Sequence, residues 1–307
     1  MAATVAGVVR RIEVPQRRVA AGLWENAWYR LRRDRLTIVA TIVLVTLILL
    51  SAAAPLLAEH VFQTSFESQD LLKNYQTPRL EPLKYVLGSD EIGRSQVVRL
   101  FYGGQVSLFI GFIAAFMNIT IGVGLGLLAG YFRGALDDVI TWAVTTLNSI
   151  PTIFLLIIFS ALFSPSALLL TTVIGVLFWT GVTNFVRGQT FALREREFIT
   201  AARTIGASSS RIMMRHILPN VLPLIFVLMA IDIGTIILAE SALSYLGLGV
   251  MPPMPSWGNM LTNAASYFAR APWLVVSPGA VIFLTVLCLY LIGDGLRDAL
   301  DPRLKQT

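Results

Sequence analysis

The sequence predicts an all-α fold, a polytopic membrane protein with six transmembrane helices, on three observations. Of its 307 residues 55% are hydrophobic and only 14% charged, where a soluble domain carries about a quarter charged. Uncharged apolar stretches recur along the chain at the length of about 20 residues that a helix needs to cross a bilayer core. The lysines and arginines gather in alternate connecting segments, the pattern that orients a membrane protein rather than one that grips nucleic acid.

Taken in order, residues 1–37 form a basic tail and 38–58 the first span, uncharged between Arg35 and Glu59. "SAAAP" at its end resembles a signal-peptidase site with Ala52 and Ala54 in place. A basic leader of over 30 residues and Pro55 directly at the cut favour an uncleaved span. Residues 59–103 are then an external segment with an interfacial helix, N-capped by Ser89 or Asp90, whose apolar face is Val97, Val98, Leu100 and Phe101. Residues 104–293 form a five-helix core, beginning with a second span at 104–130. The uncharged run 139–186 is too long for one crossing, and Ser164-Pro165-Ser166 splits it into two. A fifth span covers 221–240 and a sixth 272–292, leaving 294–307 as a tail. An intracore loop at 188–219 and another at 241–271 face opposite sides.

Six crossings put both termini on one side, and charge says which. Eighteen of the 24 lysines and arginines fall in the two tails, at Arg133, at Arg187 and in the 188–219 loop, and six on the other side. The positive-inside rule places both termini and the 188–219 loop in the cytoplasm.

Within that loop stands "EFITAARTIGASSSRIMMRHILP", residues 197–219. Phe198, Ala201, Ala202 and Ile205 fall on one narrow helical face. Gly206 provides a C-terminus, and Ser208 an N-cap for a second short helix lined by Ile212, Met213 and Ile217 and ended by Pro219. The small residues Ala201, Ala202 and Gly206 permit close approach by another protein. Pattern alone fits two uses, a protein-docking knob or an amphipathic helix on anionic lipid.

Ala201-Ala202, then Gly206, then Leu218-Pro219 resemble the EAA loop of ABC-importer membrane subunits, although Thr200 stands where that motif usually has glutamate and His216 where it often has isoleucine. "LGSDEIGRSQVVRLFYGGQVSL" (87–108), "AESALSYLGLGVMPPMPSWGNML" (239–261) and "GDGLRDALDPRLK" (293–305) are similar to the second permease of dipeptide/oligopeptide-type systems, with Ser95 replacing an often acidic residue. The resemblance implies a type I ABC importer permease fold in a bacterial cytoplasmic (inner) membrane. It also implies a heterodimer with a homologous permease, two cytoplasmic ATPase subunits that hold ATP and Mg, and an external substrate-binding protein. It implies ATPase coupling through Glu197, Thr200, Ala201, Ala202, Gly206 and Arg211. It makes the external loop, with Leu246, Gly247, Pro253 and Trp257, a gate or docking surface for the binding protein. Physically, three prolines exclude a regular helix there, which leaves a re-entrant rim lined by protein or water at the external mouth, or a surface loop anchored by Trp257 at the interface.

Asp232 lies inside the fifth span, where a charge costs at least about 2.5 kcal/mol, so it faces protein or water. It has two readings: contact with a cationic group of the cargo in a translocation path, or a hydrogen bond to Asn118, Asn148 or Asn184. Gly122, Gly126 and Gly130, with Gly111, space small residues for close helix packing. The chain has no Walker A phosphate loop, no HExxH, one cysteine and two distant histidines, so ATP hydrolysis and a thiolate or histidine metal site are not expected of it, and no cofactor of its own. A stand-alone secondary transporter or channel is the alternative reading, and it leaves the 197–219 knob without a use.

Overall fold

A computed structural model describes residues 23–163 and 166–300. Arg10, Arg11, Arg17, Arg18, the Ser164-Pro165 breaker, Arg303 and Lys305 lie outside the described residues. The helices are α1 (Leu23–Leu31), α2 (Arg35–Ala52), α3 (Ala54–Leu56), α4 (Gln96–Phe132), α5 (Ala135–Asn148), α6 (Thr152–Leu162), α7 (Ala167–Leu177) and α8 (Trp179–Arg194). They continue with α9 (Glu197–Thr204), α10 (Ser209–Ile212), α11 (Leu218–Tyr245), α12 (Ala264–Arg270) and α13 (Trp273–Leu300). Among the described residues five continuous helical stretches are long and apolar enough to cross a membrane; α5 and α6 pass together as a pair bent by 77°. The result is an all-α protein with five to six apolar spans.

Three elements differ from the sequence expectation. No separate interfacial helix precedes the second span. Ser95, not Ser89 or Asp90, caps the helix by accepting from the Val98 N–H, and α4 runs unbroken from there through 37 residues. Asp90 is spent inside its own turn, accepting from the backbone of Ile92 and Arg94 and from the Arg94 side chain at 2.6 Å. The run 139–186 also breaks earlier than the Ser-Pro-Ser signal alone suggests, at residues 149–151, where Pro151 cannot donate to the helix ladder. Pro219, finally, does not end the second short helix. A π-turn at Met213–Ile217 widens the backbone ahead of it, and Leu218 N–H reaches back to Met213 O. The proline then sits in the opening turn of α11, where its missing N–H is least costly.

α4 is the axis, about 55 Å long at 1.5 Å per residue, with α2, α7, α8 and α11 packed around it and α13 against α2 and α11. Its glycines explain the close seat of α8. A Cβ on Gly122, Gly126 or Gly130 would fall 2.6, 2.7 or 2.5 Å from Val182, Val186 or Thr190 respectively. Gly111 meets Ile237 of α11 in the same way. The glycine stripe therefore holds helices of one chain together.

The two ends of the bundle differ. At one end lie α9, α10, the start of α2 and the end of α13; Arg30 of α1 donates to Asp298 O there, so the described chain begins and finishes at the same end. At the other end the 59–95 segment folds against the 246–272 segment.

Candidate functional site

The α9–α10 hairpin is built by two opposed faces. Ile199, Ala202, Ile212 and Ile217 turn inward, all buried, against Leu127, Tyr131, Val182 and Val186. Gly206 adopts φ +81°, which lets the chain reverse after α9, and the Ser208 hydroxyl caps α10 by accepting from Arg211 N–H. Arg194 donates to Tyr131 O at 2.6 Å, and Arg133 pairs with Glu195 at 2.7 Å, tying the hairpin base to the end of α4.

The outward face carries Phe198, Ala201 and Ile205, the last 85% exposed. The expected single face of Phe198, Ala201, Ala202 and Ile205 is thus split. Ala202 pairs with Ile199 against the bundle, and Ile199 was the residue missed; its i, i+3 spacing from Ala202 is the signal. A groove of about 510 Å³ opens between Phe198, Ala201, Ile205, Arg211, Arg215 and His216. It is apolar on the α9 wall and basic on the other, and the alanines leave room for an inserted side chain. Glu197 opens α9 and Thr200 is exposed beside the groove.

Deep in the bundle, Asn118 of α4 donates its amide to Asp232 of α11 at 3.0 Å. Asn118 is fully buried, and its Oδ1 has no hydrogen-bond partner among the described residues. Asn148 is engaged elsewhere, accepting from Thr180.

At the far end the 241–262 segment folds back into the protein. Trp257 is 1% exposed; its indole donates to Leu100 O at 3.0 Å and its backbone N–H to Ser107 Oγ at 3.1 Å. It is a buried plug and not an interfacial surface anchor, because Gly103 and Gly104 leave α4 flat enough to receive the ring. Ser107 in turn donates to Glu240, which also accepts from Ser244, so this fully buried carboxylate is bonded at both oxygens. Leu246, Gly247 at φ +76° and Pro253 stay at the surface above the plug. Beside them a cavity of about 260 Å³ is lined by Asp90, Glu91, Arg94, Arg99 and Tyr267 among others. Tyr267 donates to Glu91 at 2.6 Å, and burial first, then that carboxylate, pushes the phenol above its usual range.

The structure thus brings the hairpin residues together, pairs Asp232 with Asn118, and divides the external set between a buried Trp257 and surface Leu246, Gly247 and Pro253. Among the described residues no group of three or more His, Cys, Asp or Glu could hold a metal ion. A helical bundle with five to six apolar spans, an exposed helical hairpin at one end and a folded-in loop at the other defines a polytopic membrane component.

Comparison with known proteins places that class. Residues 122–306 match the family described as "Binding-protein-dependent transport system inner membrane component", and residues 22–78 the "N-terminal TM domain of oligopeptide transport permease C". The chain is 37% identical over 281 residues to the oligopeptide transport system permease protein OppC of Haemophilus influenzae, covering 92% of this chain and 89% of that protein. It is 38% identical over 289 residues to the dipeptide transport system permease protein DppC of Alkalihalophilus pseudofirmus, covering 93% and 92%. Among solved structures, a chain of the inward-facing MetNI methionine ABC transporter aligns with TM-score 0.54 at 21% identity, covering 66% of this chain and 96% of that one, a likeness of fold. The chain belongs to the binding-protein-dependent transport system inner membrane components, the permease subunits of ABC importers, and is of the OppC/DppC type.

Proposed function

We propose that this chain is one of two homologous permeases of an importer that carries peptides across a bacterial cytoplasmic membrane. It crosses six times, with the α5–α6 pair as the third span and both termini in the cytoplasm, in the manner of a type I importer. Peptide cargo is supported by the oligopeptide and dipeptide transport names of relatives that match over nine-tenths of this chain. ATP and Mg belong to two partner ATPase subunits, which dock on the hairpin through Glu197, Thr200, Ala201, Ala202, Gly206 and Arg211. An external binding protein delivers cargo at the rim formed by Leu246, Gly247 and Pro253. Asp232, with Asn118, lines the path.

The observation that carries this reading is the hairpin's outward face: Phe198 and Ile205 stand exposed around a half-basic groove, on a base clamped to α4. A soluble partner covering those residues explains their exposure, and the clamp to α4 supplies a mechanical link to the spans.

Replacing Gly206 with valine tests it. Apart from its chain neighbours, no atom of the described residues lies within 4 Å of the added Cβ, so the fault is confined to a backbone at φ +81° that valine resists. The variant chain should insert and assemble, and binding-protein-stimulated ATP hydrolysis by the reconstituted complex should collapse. Undiminished stimulation would remove the hairpin as the coupling element.

A further inference from the structure

The start of the described chain is unlike the rest of the surface. α1, the turn after it and the first residue of α2 carry Arg30, Arg32, Arg33 and Arg35, four arginines in six residues, with Trp28 and Tyr29 more than half exposed. The guanidiniums of Arg32 and Arg33 lie over those two rings, at 4.6 and 4.2 Å from the centroids. Neither has a carboxylate partner in the ion pairs of the described residues. Asp34, the acid among them, is turned into α2: it accepts from the backbone of Leu36 and Thr37 and from the Thr37 hydroxyl, and that hydroxyl holds its carboxyl below the usual range. Glu25 stands at the opposite end of α1.

Directly beneath Arg32 a groove of about 270 Å³ opens between α1, α2 and α13, walled by Trp28, Ile38, Ile42, Ile292 and Leu296. Its floor continues along α2 as an exposed stripe at Leu36, Val39, Ile42, Val45 and Leu49, spaced three or four residues apart. α2 is the least buried of the continuous spans. Aromatic rings and arginines at the edge of an apolar span are the arrangement that sits at headgroup depth.

We infer that this groove is a binding site for an anionic phospholipid, with the phosphate held by Arg32 and Arg33 and one acyl chain lying over Ile38 and Ile42. Charge complementarity selects the occupant. The rim is cationic and the floor predominantly apolar, its two threonines, Thr37 and Thr41, having their hydroxyls bonded to Asp34 and to Thr37 O. A free phosphate would therefore leave the floor empty and an uncharged lipid would leave the rim unpaired. Stacking on Trp28 and Tyr29 fixes the two guanidiniums before a lipid arrives, which reduces the ordering needed on binding. The site requires only that the bundle lie in a bilayer, and stands whether or not the hairpin couples to ATPases.

The test uses the assembled complex in nanodiscs doped with photoreactive phosphatidylglycerol or photoreactive phosphatidylcholine. Phosphatidylglycerol should crosslink within residues 28–42 and 292–296 in preference to phosphatidylcholine. Arg32→Gln with Arg33→Gln should lower phosphatidylglycerol capture about fivefold for each arginine removed, leaving phosphatidylcholine capture unchanged. The comparison of the two lipids on the parent needs no variant, so poor assembly of the double variant leaves it decisive. Equal capture of the two lipids, capture only elsewhere, crosslinking of these residues to another protein chain, or displacement by inorganic phosphate would each overturn the inference.

Discussion

Two carboxylates lie within α11, and their surroundings assign them different work. Glu240 is bonded at both oxygens by Ser107 and Ser244, and Ser107 also receives the Trp257 backbone N–H. It organises the plug. Glu240→Ala should strand two buried hydroxyls and cost about 1–3 kcal/mol for each, read as a lower thermal midpoint of the purified complex. Asp232 has a single amide partner, Asn118, and is only half-buried. If it meets a cationic cargo group, Asp232→Asn should depress uptake of cationic peptides selectively against matched neutral ones, normalised to assembled complex. Loss of the interhelical hydrogen bond alone amounts to about 0.6 kcal/mol, too little to change that ratio. Equal ratios in variant and parent would leave Asp232 as a packing residue. The sequence located Asp232 because a charge amid apolar residues is visible without a structure. For Trp257 a proline-rich loop shows its irregularity in sequence, leaving a re-entrant rim and a surface anchor both open, but not the flat patch at Gly103 and Gly104 that receives the ring.

At the scale of elements, the glycine stripe makes the sharpest prediction. Gly126→Val would push a side chain into Val186 and Thr183 O, whereas Gly124, two residues away, has nothing within 4 Å. Overpacking of this kind costs about 1–3 kcal/mol. Gly126→Val should therefore lower the thermal midpoint of the detergent-solubilised complex, with Gly124→Val as a near-neutral control. A common response at both positions would show that α4 and α8 do not meet as described. The helix signals that were legible were the local ones: Gly206 as a stop, Ser208 as a cap, and the apolar spans themselves. The signals missed or misread were those in which backbone chemistry has two solutions. Pro151 breaks its span, with α6 starting afresh at Thr152, while Pro219 is absorbed by a π-turn. Asp90 and Ser95 can both cap a helix, and only the fold around Arg94 reveals that Asp90 is already occupied.

For the whole molecule, the arrangement of ends turns charge asymmetry into a topology test. The start and finish of the described chain share one end of the bundle with the hairpin, while the 59–95 segment lies at the other. A reporter active only outside the cytoplasm should be active when fused at Ser68 and silent at Ser209. The reverse pattern would invert the membrane orientation and separate the hairpin from any cytoplasmic partner.

The length of α4 has a further consequence. It is gripped along its second half by α8, through the seats at Gly122, Gly126 and Gly130, and carries Tyr131 at one tip and the receiver of Trp257 near the other. Gly111 seats the first half of the same helix on Ile237 of α11. α4 is therefore one unbroken rod of about 55 Å, held along both halves, that spans the bundle from the hairpin end to the Trp257 end.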